Sequence, residues 1–145
     1  MFIGFTGKAT AVLDSKGRVH IPARFMEILA NHYDQTFVVS ISDGCLAGYP
    51  TQEWKRLEEK LKELTSDQNT REIMRIFYSR ITVCPLRNGR ILIPAPLREH
   101  ANLEKEVVLI GMGNKIEIWN KNDWDRFEES HTGQELDEKL SNIPF

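Results

Sequence analysis

Apolar and polar residues follow the same order along two separate stretches of the chain. Thr10–Leu13 and Thr82–Cys84 read as short strands that run into turns at Lys16-Gly17 and Asn88-Gly89. Second strands follow at Arg18–Ile21 and Arg90–Ile93. Glycine allows the positive φ that such tight turns need. Pro22 and Pro94 stand where helices begin, because proline is best tolerated in a first turn, and the helical stretches Ala23–Ala30 and Ala95–Ala101 are brief. β-Rich pairs come next, Phe37–Ile41 with Cys45–Tyr49 and Glu106–Ile110 with Lys115–Trp119, turning at Asp43-Gly44 and Gly113-Asn114. Each set closes with a helix, one starting near Thr51, the predicted N-cap, and one near Asn122. In the first of these, Trp54, Leu57, Leu61 and Leu64 recur at helical spacing. A further helix over Thr70–Arg80 is expected to bury Ile73, Ile76 and Phe77 and to expose Arg71 and Arg75. After Ser130 the apolar period fades, and fraying or disorder is expected.

The two stretches share identities as well as pattern. Thr10, Gly17-Arg18, Ile21-Pro22-Ala23 and Glu27 recur as Thr82, Gly89-Arg90, Ile93-Pro94-Ala95 and Glu99, an offset of 72 residues throughout. Further on the offset becomes 70, aligning Phe37-Val38-Val39 with Val107-Val108-Leu109, Tyr49 with Trp119 and Trp54 with Trp124. The chain therefore reads as a tandem duplication. Residues 1–54 form the first repeat, 55–80 a helical insert, 81–130 the second repeat and 131–145 a flexible tail. A lone hairpin is marginal in water and its edges are exposed, whereas two copies in one chain cover each other. The expected class is α+β, a compact pseudo-symmetric β-barrel with peripheral helices.

At 145 residues, with 41% hydrophobic and 28% charged, the chain is sized for one ordinary domain or two very small ones. No apolar run approaches the ~18–20 residues of a membrane span, so no membrane partner is expected. Met1–Phe5 lacks the basic and apolar segments of a secretory signal. Cys45 and Cys84 are isolated, which suits a reduced, cytoplasmic protein. The net charge of −2 argues against a polyanion partner until it is divided along the chain. Residues 1–30 hold Lys8, Lys16, Arg18 and Arg24 against Asp14 and Glu27; residues 71–100 hold Arg71, Arg75, Arg80, Arg87, Arg90 and Arg98 against Glu72 and Glu99. Two basic segments sit on an otherwise acidic chain, and local fields govern binding of a polyanion.

No enzymatic constellation is present: no Walker loop, HExxH, GxSxG or Cys/His metal pattern occurs, and His20, His32, His100 and His131 lie far apart. Neither catalysis nor a cofactor or metal is expected. Gly111-Met112-Gly113 reads as a hairpin turn, and His20 as a half-exposed strand position. The informative element is Asp14-Ser15-Lys16-Gly17-Arg18. Asp14 can accept from backbone amides two or more residues on, Gly17 completes the turn, and Lys16 projects from its tip. Arg18 leaves on a strand, where a guanidinium can address phosphate or guanine edges in a bidentate manner. The bland alternative is an Asp–Arg bridge that only braces a hairpin. A second Gly-Arg turn, with Arg87 beside Arg90, favours a basic face.

The duplicated Asp-x-x-x-Arg followed by apolar-x-Ile-Pro resembles the MraZ family, related to AbrB-like transition-state regulators with swapped-hairpin barrels. The likeness runs from Met1-Phe2 through Asp14–Arg24, Asp43-Gly44-Cys45-Leu46, Tyr49-Pro50, Glu53-Trp54, Arg90–Pro94 and Leu103–Gly113 to Trp119 and Trp124. It implies a tandem swapped-hairpin barrel assembled into a ring-shaped homo-oligomer of the octamer class. It also implies a cytoplasmic, nucleoid-associated bacterial regulator that binds double-stranded promoter DNA at direct repeats upstream of the division and cell-wall gene cluster, its own gene included. Carried across, Arg18 becomes the leading DNA contact, with Lys16 and Gly17 beside it, Asp14 shaping the loop and Arg24 adding a phosphate contact. Arg87 and Arg90 are the second copy's candidates. That copy departs from the motif, with Leu86 where Asp is expected and Pro85 before it. The alternative from another class is an oligomeric protein-interaction scaffold without specific DNA binding, using the amphipathic Trp54–Leu64 helix.

Overall fold

The computed structural model describes residues 2–64 and 67–145. The first half runs β1 (Lys8–Val12), β2 (Arg18–His20), α1 (Ala23–His32), β3 (Thr36–Ile41), β4 (Leu46–Pro50) and α2 (Thr51–Leu61). After α3 (Gln68–Ser79), the same order returns as β5 (Thr82–Pro85), β6 (Arg90–Leu92), α4 (Ala95–His100), β7 (Glu106–Gly111), β8 (Ile116–Asn120) and α5 (Lys121–Glu129). The tail expected to fray contains a further helix, α6 (Gly133–Leu140), none of whose residues is buried.

The halves are interwoven. β1 pairs with β7 and β5 with β3, so each half lends its first strand to the other half's hairpin. The antiparallel sheet order β1-β7-β8-β4-β3-β5 reads the same from both edges once each strand is exchanged for its repeat. β2 and β6 form a separate two-stranded ribbon in which Val19 faces Ile91, its own repeat equivalent. In the β4–β8 ladder Ala47 likewise faces its equivalent, Glu117. A pseudo-two-fold axis passes through both pairs.

The α+β class and the duplication are realised, but the sheet does not close into a barrel. β1 and β5 remain its two edges, because the three-residue strands β2 and β6 spend their ladder bonds on each other instead of bridging those edges.

Strand alternation sends side chains to two faces. Phe37, Val39, Leu46, Val107, Leu109, Ile116 and Ile118 point to one side and meet Val19 and Ile91 of the ribbon, Phe25 and Leu29 of α1 and Leu97 of α4 in a single buried core. On the opposite face Val38, Ala47 and Tyr49 pack against Trp54 of α2, with Leu57 and Phe77 partly buried beside them. The amphipathic face of α2 is thus used within the subunit, removing its support for a scaffold role.

Two local expectations are corrected. Thr51 is the first residue of α2, and Pro50 holds the N-cap position without a side-chain bond; in the second half Asn120 caps α5 by accepting from the Asp123 N–H at 2.9 Å. Of the three residues expected to be buried on α3, only Phe77 turns inward. Ile73 is 66% exposed and Ile76 51% exposed, because α3 meets the sheet and Trp54 through Phe77, near its C-terminal end.

The register of β5 differs from the alignment by one residue. Glu106 faces Val12, whereas its equivalent Thr36 faces Pro85 instead of Cys84. Proline has no N–H to give. Leu13 donates its N–H to the Lys105 carbonyl at 2.8 Å, and in the second half Leu86 makes the matching bond to Gln35 at 2.9 Å. A one-residue shift exchanges faces, so Leu86 takes the partly buried place of Leu13, and Arg87 stands where Asp14 stands.

Because Ile91 lies on the axis and is 1% exposed, Ile91→Ala is expected to cost ~2–5 kcal/mol in urea unfolding.

Candidate nucleic-acid interface

The first loop is built around one carboxylate. Asp14 Oδ1 accepts from the backbone N–H groups of Lys16 and Arg18, both at 2.9 Å, and Oδ2 accepts from Arg18 Nε at 2.7 Å. Backbone bonds from Asp14 N to the Arg18 carbonyl and from Gly17 N to the Asp14 carbonyl, each 3.0 Å, close a three-residue turn. Gly17 completes it at φ +89°, and a side chain there would also strike Arg98, whose Nη1 lies 1.9 Å from where a Cβ would be. The Arg18 amide, foremost, pulls the Asp14 pKa down from 3.8 to about 2; desolvation is the next effect and opposes it, and the Arg18 side chain and the Lys16 amide add to the lowering.

The Asp–Arg bridge of the bland reading therefore exists, and it does more than brace. It engages Nε and leaves the two terminal nitrogens of Arg18 without a bond among the described residues. The guanidinium is held at one edge and presented at the other. Exposed Lys16 sits at the loop tip.

Around this loop the second half adds charge. Arg90, which lies across the ribbon from His20, places Nη1 3.8 Å from Asp14 Oδ2. Arg98 reaches from α4 beneath the loop and donates to the Ile93 carbonyl at 2.6 Å. Sequence reasoning left Arg98 outside the candidate set, although the repeat alignment places it opposite Met26, which lies against Gly89 of the other turn. Arg18, Arg87 and Arg90 rim a cleft of about 490 Å³ floored by Val83, Leu92 and Pro94. The two turns stand at opposite ends of the short antiparallel ribbon, and Arg18, Arg87 and Arg90 meet along one side of it, around the cleft, with Asp14 between Arg18 and Arg90.

Arg24 is not part of this group. Its Nη2 donates to the Lys8 carbonyl at 3.1 Å, at the opposite end of β1 from Asp14, roughly 20 Å away at strand rise.

The second loop has a different build. Arg87 and Arg90 exchange backbone bonds of 2.8 and 3.0 Å across Asn88 and Gly89, whose φ values of 53° and 74° make a tight two-residue turn. With no carboxylate at its base, neither Arg87 nor Arg90 is clamped as Arg18 is.

Among the described residues no cluster of three or more His, Cys, Asp or Glu is placed to hold a metal ion. Burial pushes the Cys45 and Cys84 thiols up to about 12. No helix among the described residues is long and apolar enough to cross a membrane.

The family model described as "MraZ protein, putative antitoxin-like" matches residues 5–76 and 87–142. A protein of Limosilactobacillus reuteri (strain DSM 20016), named "Transcriptional regulator MraZ", is 45% identical over 134 residues, covering 91% of this chain and 92% of its own. Proteins of the same name from Heliobacterium modesticaldum and Pelotomaculum thermopropionicum are 44% and 41% identical, covering 94% and 96% of this chain and 96% and 97% of theirs.

Asp14 stays ionised down to about pH 2, so the loop's stabilisation is complete above about pH 4 and is lost as pH falls through 2. The amide shifts of Lys16 and Arg18, followed by NMR, should titrate with a midpoint near 2 instead of 3.8. Asp14→Asn keeps an acceptor for the amides but turns an NH₂ toward Arg18 Nε, so amide exchange at Arg18 should quicken at neutral pH.

Proposed function

The chain belongs to the MraZ family, and from that premise we propose that it is a sequence-specific DNA-binding transcriptional regulator acting through the Asp14–Arg18 loop. Its targets are direct repeats in the promoter of the bacterial division and cell-wall gene cluster, its own gene included, which would place it on the nucleoid. The observation that carries this reading is the clamped guanidinium of Arg18, which shares one cleft of the ribbon with Arg87 and Arg90.

Preorganisation matters because ordering a long side chain on binding costs about 0.5–1.5 kcal/mol. Arg18 has met part of that cost in the free protein. A planar fork can read guanine O6 and N7, worth roughly 1–3 kcal/mol of base discrimination. Lys16 at the tip suits a phosphate contact, which adds affinity and salt dependence without sequence preference. Arg87, Arg90 and Arg98 supply field, and Arg24 serves β1.

One such loop is a weak reader. A ring-shaped homo-oligomer would repeat it, and linked engagement of several DNA repeats raises avidity by ~10²–10⁴ without any new contact. The exchange of first strands between the halves supports the swapped-hairpin arrangement expected of this family.

Fluorescence anisotropy against the chain's own upstream DNA and a scrambled control, titrated in salt, tests the proposal. The parent should prefer the native repeats with a steep negative salt slope. Arg18→Ala should lose about 5–150-fold in that preference with unchanged oligomer size. Lys16→Ala should weaken both DNAs together. Equal, weak binding of the parent to both sequences would sink the reading.

A further inference from the structure

The two halves bury their outer aromatic clusters unequally. In the first, Tyr49 and Trp54 are 9% and 7% exposed, because Phe77 of α3 stacks on Trp54 with ring centroids 6.1 Å apart. Their equivalents Trp119 and Trp124, with Phe127 of α5, form a matching cluster with centroids 5.1–5.5 Å apart. Among the described residues no ring of another helix stacks on it; His131 lies against Phe127 with ring centroids 4.4 Å apart, and Phe127 is still 42% exposed. The cluster also contains the Trp124 indole N–H, out of contact with solvent and without an acceptor.

The helix that covers such a cluster in the first half has a second apolar stripe to offer. Ile73 and Ile76 are three residues apart and share one side of α3, beside the line that holds Phe77. The signs of charge are complementary. α3 and its C-cap carry Arg71, Arg75 and Arg80 against Glu72, while α5 carries Asp123, Asp125, Glu128 and Glu129 against Lys121 and Arg126.

We infer that the Trp119–Trp124–Phe127 face is a docking surface for α3 of a second copy of this chain, entered by Ile73 and Ile76. The contact joins two different surfaces, so it repeats head to tail, and head-to-tail contacts close into rings when the rotation permits. This inference rests on the ring reading above and names the surfaces that build it. The first half shows the cover in cis; the second receives it in trans.

A mixing experiment on full-length protein tests it, read by light scattering after size exclusion. One variant carries Ile73→Glu and Ile76→Glu; the other carries Phe127→Glu. Each alone should run at the mass of one chain, since each retains one working face, and an equimolar mixture should give a species of twice that mass. Circular dichroism confirms folding, and serine replaces glutamate wherever a variant has lost its helix signal. Variants that keep the parent's oligomer size, or a mixture that stays at the mass of one chain, overturn the inference while leaving the ring intact. A parent that itself runs as one chain removes the ring, and the inference with it.

Discussion

The β2–β6 pairing is the constraint on which the remaining structure depends. It sets Val19 against Ile91 on the pseudo-two-fold axis, between the sheet and the helices α1 and α4. Neither three-residue strand is stable alone, since a short hairpin in water lacks a face to bury. Held together, they supply the inner floor of the core and set the two Gly-Arg turns at the ribbon's two ends, close enough for Arg18 and Arg90 to line one cleft. Fold and candidate interface share one cause: the ribbon that buries Val19 and Ile91 also brings Arg90 to Asp14.

Electrostatics then separates two turns of common descent. Asp14 engages two amides and one guanidinium, which orders its loop and lowers its own pKa. At the equivalent place in the second half stands Arg87, a base where the first has an acid, and the backbone alone makes the turn. One half therefore offers a clamped guanidinium and the other charged but unclamped ones.

Much of this was legible in the sequence because it depends on local chemistry. Gly17 and Gly89 marked the turns, Pro22 and Pro94 the helix starts, and the shared Ile-Pro-Ala the duplication. Strand exchange was expected from the family resemblance alone, since period-2 patterning says which face is buried but not which strand lies beside it. The slip at Pro85 was hidden by the recurrence of Thr10 as Thr82, which kept the alignment in step while the ladder moved on by one. Arg24 stands apart from Arg18, at Lys8, because nearness in sequence is not nearness in space when a strand and a turn intervene. Ile73 and Ile76 were assigned inward because helical period marks an apolar side without saying what meets it.

The slip at Pro85 also gives the molecule a direction. A dimer of identical halves has no front or back, and the DNA it reads best is a palindrome that mirrors its symmetry. Fusing the halves into one chain lets each change alone, and here one residue of register and one carboxylate have left a single clamped loop. On the function proposed above, such a chain has a heading along the duplex, and copies arrayed in the same sense would match words written in the same sense. Loss of symmetry within the chain would then equip it for sites that run head to tail.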